Sequence, residues 1–254
     1  MASLVDSLTT WIRRHVSATR ADGLAVGLSG GIDSAVVARL CQLALPDSVV
    51  GVLLPCHSGP QDAADARLVA THFDLRTITI RLDAPYDTLT AELNTELSTL
   101  PDTGQATSDE THRLALANVK PRLRMTSLYF IANSLNYLVV GTGNRSELAI
   151  GYYTKHGDGG VDLLPIGNLL KDEVRELAEE LDVPRPIIDK APSAGLWVGQ
   201  TDEAEMGFSY AALESYLRDG PCGVSPELAL RIERLTRLSE HKRELPPRPP
   251  VEPA

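Results

Sequence analysis

The sequence predicts a doubly wound α/β fold: a mostly parallel sheet with helices on both faces, then a helical C-terminal part. Three observations predict it. Short apolar runs of strand length recur through the first 141 residues, at 23–28, 48–54, 76–82 and 137–141. Each is followed by a turn and then by residues at helical spacing, as parallel strands joined by crossover helices require. The runs at 23–28 and 48–54 are apolar, which suits strands covered on both faces, while 76–82 alternates.

Taken in order, residues 4–18 bring Leu4, Leu8, Trp11, Ile12 and His15 near helical spacing, so an amphipathic helix opens the chain. The first strand, 23–28, breaks at Ser29-Gly30-Gly31-Ile32-Asp33-Ser34. Beyond it Val37, Leu40, Cys41 and Ala44 mark the stripe of a helix that stops before Pro46. Residues 48–54 form the second strand and 60–72 a helix opened by Pro60 and Asp62. Residues 76–82 form the third strand, and 89–97 are helical in composition. The polar stretch 98–113 reads as a loop.

A long helix follows over 118–135, with Leu128, Ile131, Ala132 and Leu135 on its core face, and then the fourth strand. After residue 151 the regularity weakens. A loop over 157–160, a helix over 169–181, an extended stretch over 184–192 and helices over 209–217 and 226–240 are expected. The last ten residues hold five prolines, so residues 1–243 read as one domain and 244–254 as a Pro-rich tail.

Composition removes several classes of function. The net charge is −10, the wrong sign for binding a nucleic-acid backbone, so any phosphate should sit in a local pocket. Cys41, Cys56 and Cys222 are far apart, which argues against disulfides, structural zinc or a redox dithiol. Cys41 lies on the apolar stripe of its helix and reads as a buried, inert thiol. No run is long and apolar enough for a membrane span, and no secretory core opens the chain, so a cytoplasmic protein is expected. His57, His112 and His156 lack metal-ligand spacing.

The strongest local signal is the hexapeptide 29–34 between a buried strand and a helix. Its glycines let backbone N–H groups close around an anion, and the helix N-terminus adds its positive end. Ser29 and Ser34 add hydroxyl donors. Asp33 is out of place beside phosphate unless a cation such as Mg²⁺ bridges the two. The loop lacks the Gly-Lys-Ser/Thr of a Walker A motif and the glycine spacing of a dinucleotide fingerprint.

The Ser-Gly-Gly-Ile-Asp-Ser sequence resembles the pyrophosphate-gripping loop of the N-type ATP pyrophosphatase superfamily, whose fold is adenine nucleotide alpha hydrolase-like. Further motifs select within it: Asn118-Val-Lys-Pro-Arg-Leu-Arg-Met125, Gly141-Thr-Gly-Asn-Arg-Ser-Glu147, Gly151 to Gly160, Asp162-Leu-Leu-Pro165 and Lys190-Ala-Pro-Ser-Ala-Gly-Leu-Trp197. In this order, over about residues 22–243, they resemble NAD synthetases of the ammonia-dependent type.

The resemblance implies that deamido-NAD is adenylated by ATP and then amidated by ammonia, releasing AMP and pyrophosphate. It assigns ATP binding to Gly27, Leu28, Ser29, Gly30, Gly31, Ile32, Asp33, Ser34, Thr142, Lys171 and Ser193. Mg²⁺ falls to Asp33 and Glu147, and deamido-NAD to Arg122, Lys155, Asp162, His241 and Lys242. Asp158 matches a residue placed to take a proton from the ammonia donor, though a turn of this composition calls for Asp in any case.

The resemblance also implies a homodimer and a lid near Gln200-Thr-Asp-Glu203. A chain of this size has no room for a glutaminase domain; a separate ammonia-delivering subunit stays open. Two alternatives remain at this point: another pyrophosphate-releasing enzyme such as a GMP synthetase subunit, and a non-catalytic nucleotide-binding regulator.

Overall fold

The computed structural model describes residues 3–100, 108–192 and 201–249. Its centre is a four-stranded sheet in the order β3-β2-β1-β4, all pairs parallel. The strands are β1 (Gly23–Gly27), β2 (Val49–Leu53), β3 (Thr77–Thr79) and β4 (Tyr137–Val140). Leu24 pairs with Val49 on one side, and Gly23 with Tyr137 on the other.

Helices fill the connections: α1 (Leu4–Thr19), α2 (Ile32–Ala44), α3 (Pro60–His72), α4 (Asp83–Leu97) and α5 (Asp109–Leu135). After β4 come α6 (Arg145–Ile150), α7 (Lys171–Glu180), α8 (Arg185–Ile188), α9 (Asp202–Met206), α10 (Tyr210–Asp219) and α11 (Pro226–Leu238).

Strand pleating explains why both faces are covered. Leu24 and Val26 point into one core with Ile12, Val37, Leu40, Val69 and Val174 from α1, α2, α3 and α7. Ala25, Val50 and Val52 point the other way, onto Ile131 and Ala132 of α5. Fully burying a side chain such as Leu40 contributes about 1.5–3 kcal/mol. A third cluster, built from Ile150, Met206, Phe208, Tyr210, Leu213 and Ile232, knits α6 to the C-terminal helices. Cys41 and Cys56 are buried free thiols and Cys222 is an exposed one. Burial pushes the Cys41 thiol far up, so it stays protonated.

The structure departs from expectation at several elements. α5 begins at Asp109, so residues 109–113 are helix; residues 101–107 of the expected loop lie outside the described residues. The start is set by Ser108, whose Oγ accepts from Thr111 N at 3.3 Å, with Asp109 and Glu110 in the first turn. Those polar residues are a helix start rather than a loop. Leu135, expected on the core face, is 43% exposed; it is the last residue of α5, beside the left-handed cap Asn136. β3 is confined to an exposed edge, and α4 opens at Asp83. Within 184–192, the short α8 forms because Ile187 is drawn into the core.

The strand order has a functional consequence. From β1 the chain winds outward through β2 to β3, then returns to the opposite side of β1 as β4. The segments after β1 and β4 therefore diverge and leave a crevice at the carboxyl ends of the strands. Open α/β sheets bind ligands at such a switch point.

Candidate active site

A cavity of about 1000 Å³ opens at that switch point. This is the upper end of the usual range for small-molecule pockets, about 300–1,000 Å³. Its wall includes Gly27, Leu28, Ser29, Gly31, Ile32, Asp33 and Ser34, together with Thr142 and Glu147 after β4 and Lys171 at the start of α7.

The loop after β1 is held by its own serines. Ser34 Oγ donates to Gly31 O at 2.9 Å, Ser29 and Ser34 hydroxyls lie 3.1 Å apart, and Gly31 N donates to Ser29 Oγ at 3.2 Å. Gly30 has φ +81°, and a Cβ there would stand 2.6 Å from Asp62 O on α3, so the position requires glycine. Gly31 caps α2 without a side-chain hydrogen bond. The first-turn N–H groups of α2 are thus left for an anion.

Three charged groups meet beside this cradle. Asp33, in the first turn of α2, accepts from Asn144 Nδ2 at 3.0 Å and from Lys171 Nζ at 2.5 Å. Glu147 is fixed by a reciprocal cap: Asn144 Oδ1 accepts from Glu147 N, and Glu147 Oε2 accepts from Asn144 N. Its other oxygen lies 3.4 Å from Lys171 Nζ. Burial, reinforced by Asp33, pushes the Glu147 carboxyl up to about 7, against the pull of Lys171. Lys171 is 2% exposed. Burial works against its charge, but Asp33 and Glu147 outweigh that and raise its pKa, so it remains a cation.

Next to this trio lies a carboxylate from the stretch expected as a lid, of which Gln200 lies outside the described residues. Asp202 on α9 is buried, accepting from Tyr210 OH at 2.9 Å and Tyr152 OH at 3.2 Å. Tyr152 OH also donates to Glu205 at 2.7 Å. The Lys171 ammonium stands 5.3 Å from the Tyr210 ring centroid. Asp33, Glu147, Asp202 and Glu205 thus gather at the Lys171 end of the cavity, where Arg231 also lines the wall.

The donor set fits magnesium. Two carboxylates, Asp33 and Glu147, meet around the Lys171 ammonium beside the anion cradle. Among the described residues no group of three or more acidic, histidine or cysteine side chains is placed to hold a metal ion. Mg²⁺ is typically held by one or two carboxylates plus substrate phosphates rather than by an all-protein cage.

The expected deamido-NAD residues divide. Lys242 lines the cavity, donating to Gly151 O at 2.6 Å and Tyr153 O at 2.7 Å. Arg122, Lys155 and His241 form a chain outside the cavity wall: Arg122 donates to Lys155 O at 3.4 Å, and Lys155 Nζ donates to His241 O. Asp162 is engaged at the sheet, accepting from Val139 N at 2.8 Å and Tyr129 OH at 3.0 Å. Asp158 lines the cavity, with Oδ1 accepting from Thr154 N at 2.9 Å; the residue is exposed, but protein atoms crowding its carboxyl group raise its pKa by desolvation. Ser193 lies outside the described residues.

Sequence reasoning passed over Arg124, which lines the cavity and donates to Leu54 O at 3.1 Å. It lies two residues from Arg122, hence about 200° round the helix, and that spacing was a usable signal.

The sequence matches the family model for NAD synthase over residues 4–246. The chain belongs to the NAD synthase family. The match takes in α1, beyond the stretch that carried the sequence motifs. The NH(3)-dependent NAD(+) synthetase of Carboxydothermus hydrogenoformans is 53% identical over 241 residues, covering 95% of this chain and 94% of the relative. Two solved structures are similar over nearly their whole length. The NMN synthetase of Francisella tularensis is 37% identical with a TM-score of 0.86, covering 98% of each chain. The NH3-dependent NAD synthetase of Campylobacter jejuni, in complex with the nitrate ion, is 28% identical with a TM-score of 0.76, covering 97% of each. The NAD synthase family has this parallel-sheet fold.

Proposed function

We propose that this NAD synthase family member amidates the free carboxylate of deamido-NAD with ammonia, through an adenylated intermediate formed from ATP. The observation that carries the reading is the meeting of Asp33, Glu147 and Lys171 beside the anion cradle at the switch point.

A carboxylate resists ammonia because its oxygens leave poorly. One carboxylate oxygen attacks the α-phosphorus of ATP, and the bond to the β-phosphate oxygen breaks to release pyrophosphate. Ammonia then adds to the acyl carbon and expels AMP, which keeps that oxygen. In this reading the loop N–H groups, Ser29, Ser34 and Lys171 hold the leaving pyrophosphate and the charge that develops on it. Asp33 and Glu147 would hold Mg²⁺, which supplies further neutralisation of the phosphates. Thr142 and Ser193 complete the ATP site. Asp158, with its raised pKa, takes the proton that the incoming ammonia must lose. Lys242 lies nearest the acceptor, with Arg122, Lys155, Asp162 and His241 toward its outer end.

The catalytic unit is residues 1–243, with 244–254 as a tail; residues 250–254 lie outside the described residues. A homodimer is part of the reading, supported by exposed apolar side chains on α4 and α5, among them Leu93, Leu97 and Phe130. So is a cytoplasmic enzyme that binds no nucleic acid, supported by the acidic charge; none of the described helices is long and apolar enough to cross a membrane.

One observation favours a second acceptor. The similarity to the Francisella tularensis NMN synthetase makes nicotinate mononucleotide the alternative to the dinucleotide. Pyrophosphate release from MgATP with ammonium, measured with each acid in turn, separates the two. A higher kcat/KM for deamido-NAD, matched by NAD formed, supports the first reading. A higher value for the mononucleotide supports the second, and release with neither contradicts both.

A further inference from the structure

The phosphate loop is flanked by two lysines, and only Lys171 has been given a part so far. Lys190 sits on the other flank, where its Nζ lies 2.7 Å from Asp65 Oδ2 and 2.9 Å from Asp62 Oδ1. Those two acids belong to the turn of α3 that presses on the loop. A Cβ at Gly30 would meet Asp62 O at 2.6 Å and Asp65 Cβ at 2.8 Å. Lys190, Asp62, Gly31 and Ser29 line the same cavity.

The two lysines differ in freedom. The Lys171 side chain is 3% exposed and locked between Asp33 and Glu147. The Lys190 side chain is 29% exposed; Asp62 is 36% exposed, whereas Asp65 is 8% exposed and also accepts from Gln61 Nε2 at 2.7 Å. The contact with Asp62 is therefore weak, and Asp65 keeps the Gln61 hydrogen bond when the lysine leaves, so an incoming anion can compete for the cation. A nucleoside triphosphate brings several negative charges, and the charge of Lys171 is already shared between Asp33 and Glu147. Of the other cavity-lining cations, Arg124, Arg231 and Lys242 are tied to backbone carbonyls, and Arg67 is an exposed side chain of α3.

We propose that Lys190 is a second polyphosphate-binding cation, held by Asp62 and Asp65 until a nucleoside triphosphate draws it to the β- and γ-phosphates across Gly30. The inference rests on the reading of this cavity as an ATP site. The competing role is a strut that merely ties the segment after α8 to α3. The two roles predict opposite signs for the acid partner. As a strut, losing Asp62 harms the site as losing Lys190 does. As a phosphate ligand, Lys190 is released by loss of Asp62, and nucleotide binds more tightly.

The test is calorimetric titration of the full chain with the magnesium complex of a non-hydrolysable ATP analogue, and separately with AMP. Wild-type binding of the analogue checks the ATP reading by itself. Lys190→Gln should weaken the analogue on the order of tenfold, as loss of one charge-assisted contact does, and leave AMP unchanged. Asp62→Asn should tighten the analogue, and Lys190→Arg should recover most of the loss. Equal weakening of analogue and AMP by Lys190→Gln, no weakening at all, or weakening by Asp62→Asn would overturn the proposal. If Lys190→Gln fails to fold, the sign of the Asp62→Asn effect decides alone.

Discussion

Lys171 Nζ lies 2.5 Å from Asp33 Oδ2, a contact between residues 138 positions apart that joins the first turn of α2 to the first turn of α7. A lysine at a helix N-terminus opposes the helix dipole, and here two carboxylates offset that cost. The same two carboxylates are the proposed magnesium ligands, so the lysine keeps a mutually repelling pair together before metal and nucleotide arrive.

Removing either acid should therefore cost turnover more than fold. Asp33→Asn or Glu147→Gln should lower amide formation on the order of 10²–10³, the loss typical of one preorganised charge-stabilising group. The circular dichroism spectrum should stay that of the wild type. Near-normal turnover in either variant would remove the metal assignment.

Loss of the cation should appear in stability as well. Lys171→Met leaves Asp33 and Glu147 facing each other with no counter-charge, and breaking such a buried pair typically costs about 3–5 kcal/mol. Part of that loss should return as Mg²⁺ is added, because a bound divalent ion replaces the missing charge. Thermal melting against magnesium concentration checks this, and a Tm indifferent to magnesium would count against it.

Glu147 sets a pH dependence. Its folded pKa of about 7 lies above the ordinary value of 4.5. Between those values the folded chain keeps a proton that the unfolded chain has lost, so this group's contribution to stability declines as pH rises through the window and levels off above it. Magnesium binding runs the other way, because the metal requires the ionised carboxylate. Its affinity should fall as pH drops from 8 to 6, and Glu147→Gln should flatten that profile in titration calorimetry.

Gly30 offers a test of the cradle. Alanine there would carry φ +81° and a Cβ 2.6 Å from a backbone oxygen of α3. The left-handed conformation alone costs about 1–3 kcal/mol, and the clash pushes the loop off α3. ATP-analogue binding should be lost in Gly30→Ala, whereas AMP, which lacks the pyrophosphate, should bind with a smaller loss.

Much of this was legible before any coordinates, for physical reasons. The cradle 29–34 is local: strand, glycines, hydroxyls and helix start are consecutive, so sequence alone places them. The buried strands announce themselves because both faces of β1 and β2 are covered. What was not legible depends on contacts between distant segments. Nothing near Lys190 in sequence points to Asp62 and Asp65, and nothing near Asp202 points to Tyr152. The start of α5 was hidden because a polar, acidic first turn resembles a loop until its cap is seen. Arg124 was passed over in favour of Arg122, although the two face opposite sides of one helix and Arg124 is the one in the cavity.

The central claim is that the acceptor carboxylate is adenylated before ammonia attacks, and oxygen labelling tests it most directly. Deamido-NAD carrying ¹⁸O in the carboxylate is turned over with MgATP and ammonium, and AMP and pyrophosphate are analysed by mass spectrometry. The account predicts one labelled oxygen in AMP for each NAD formed and none in pyrophosphate. Label in pyrophosphate or in orthophosphate, with unlabelled AMP, would contradict it.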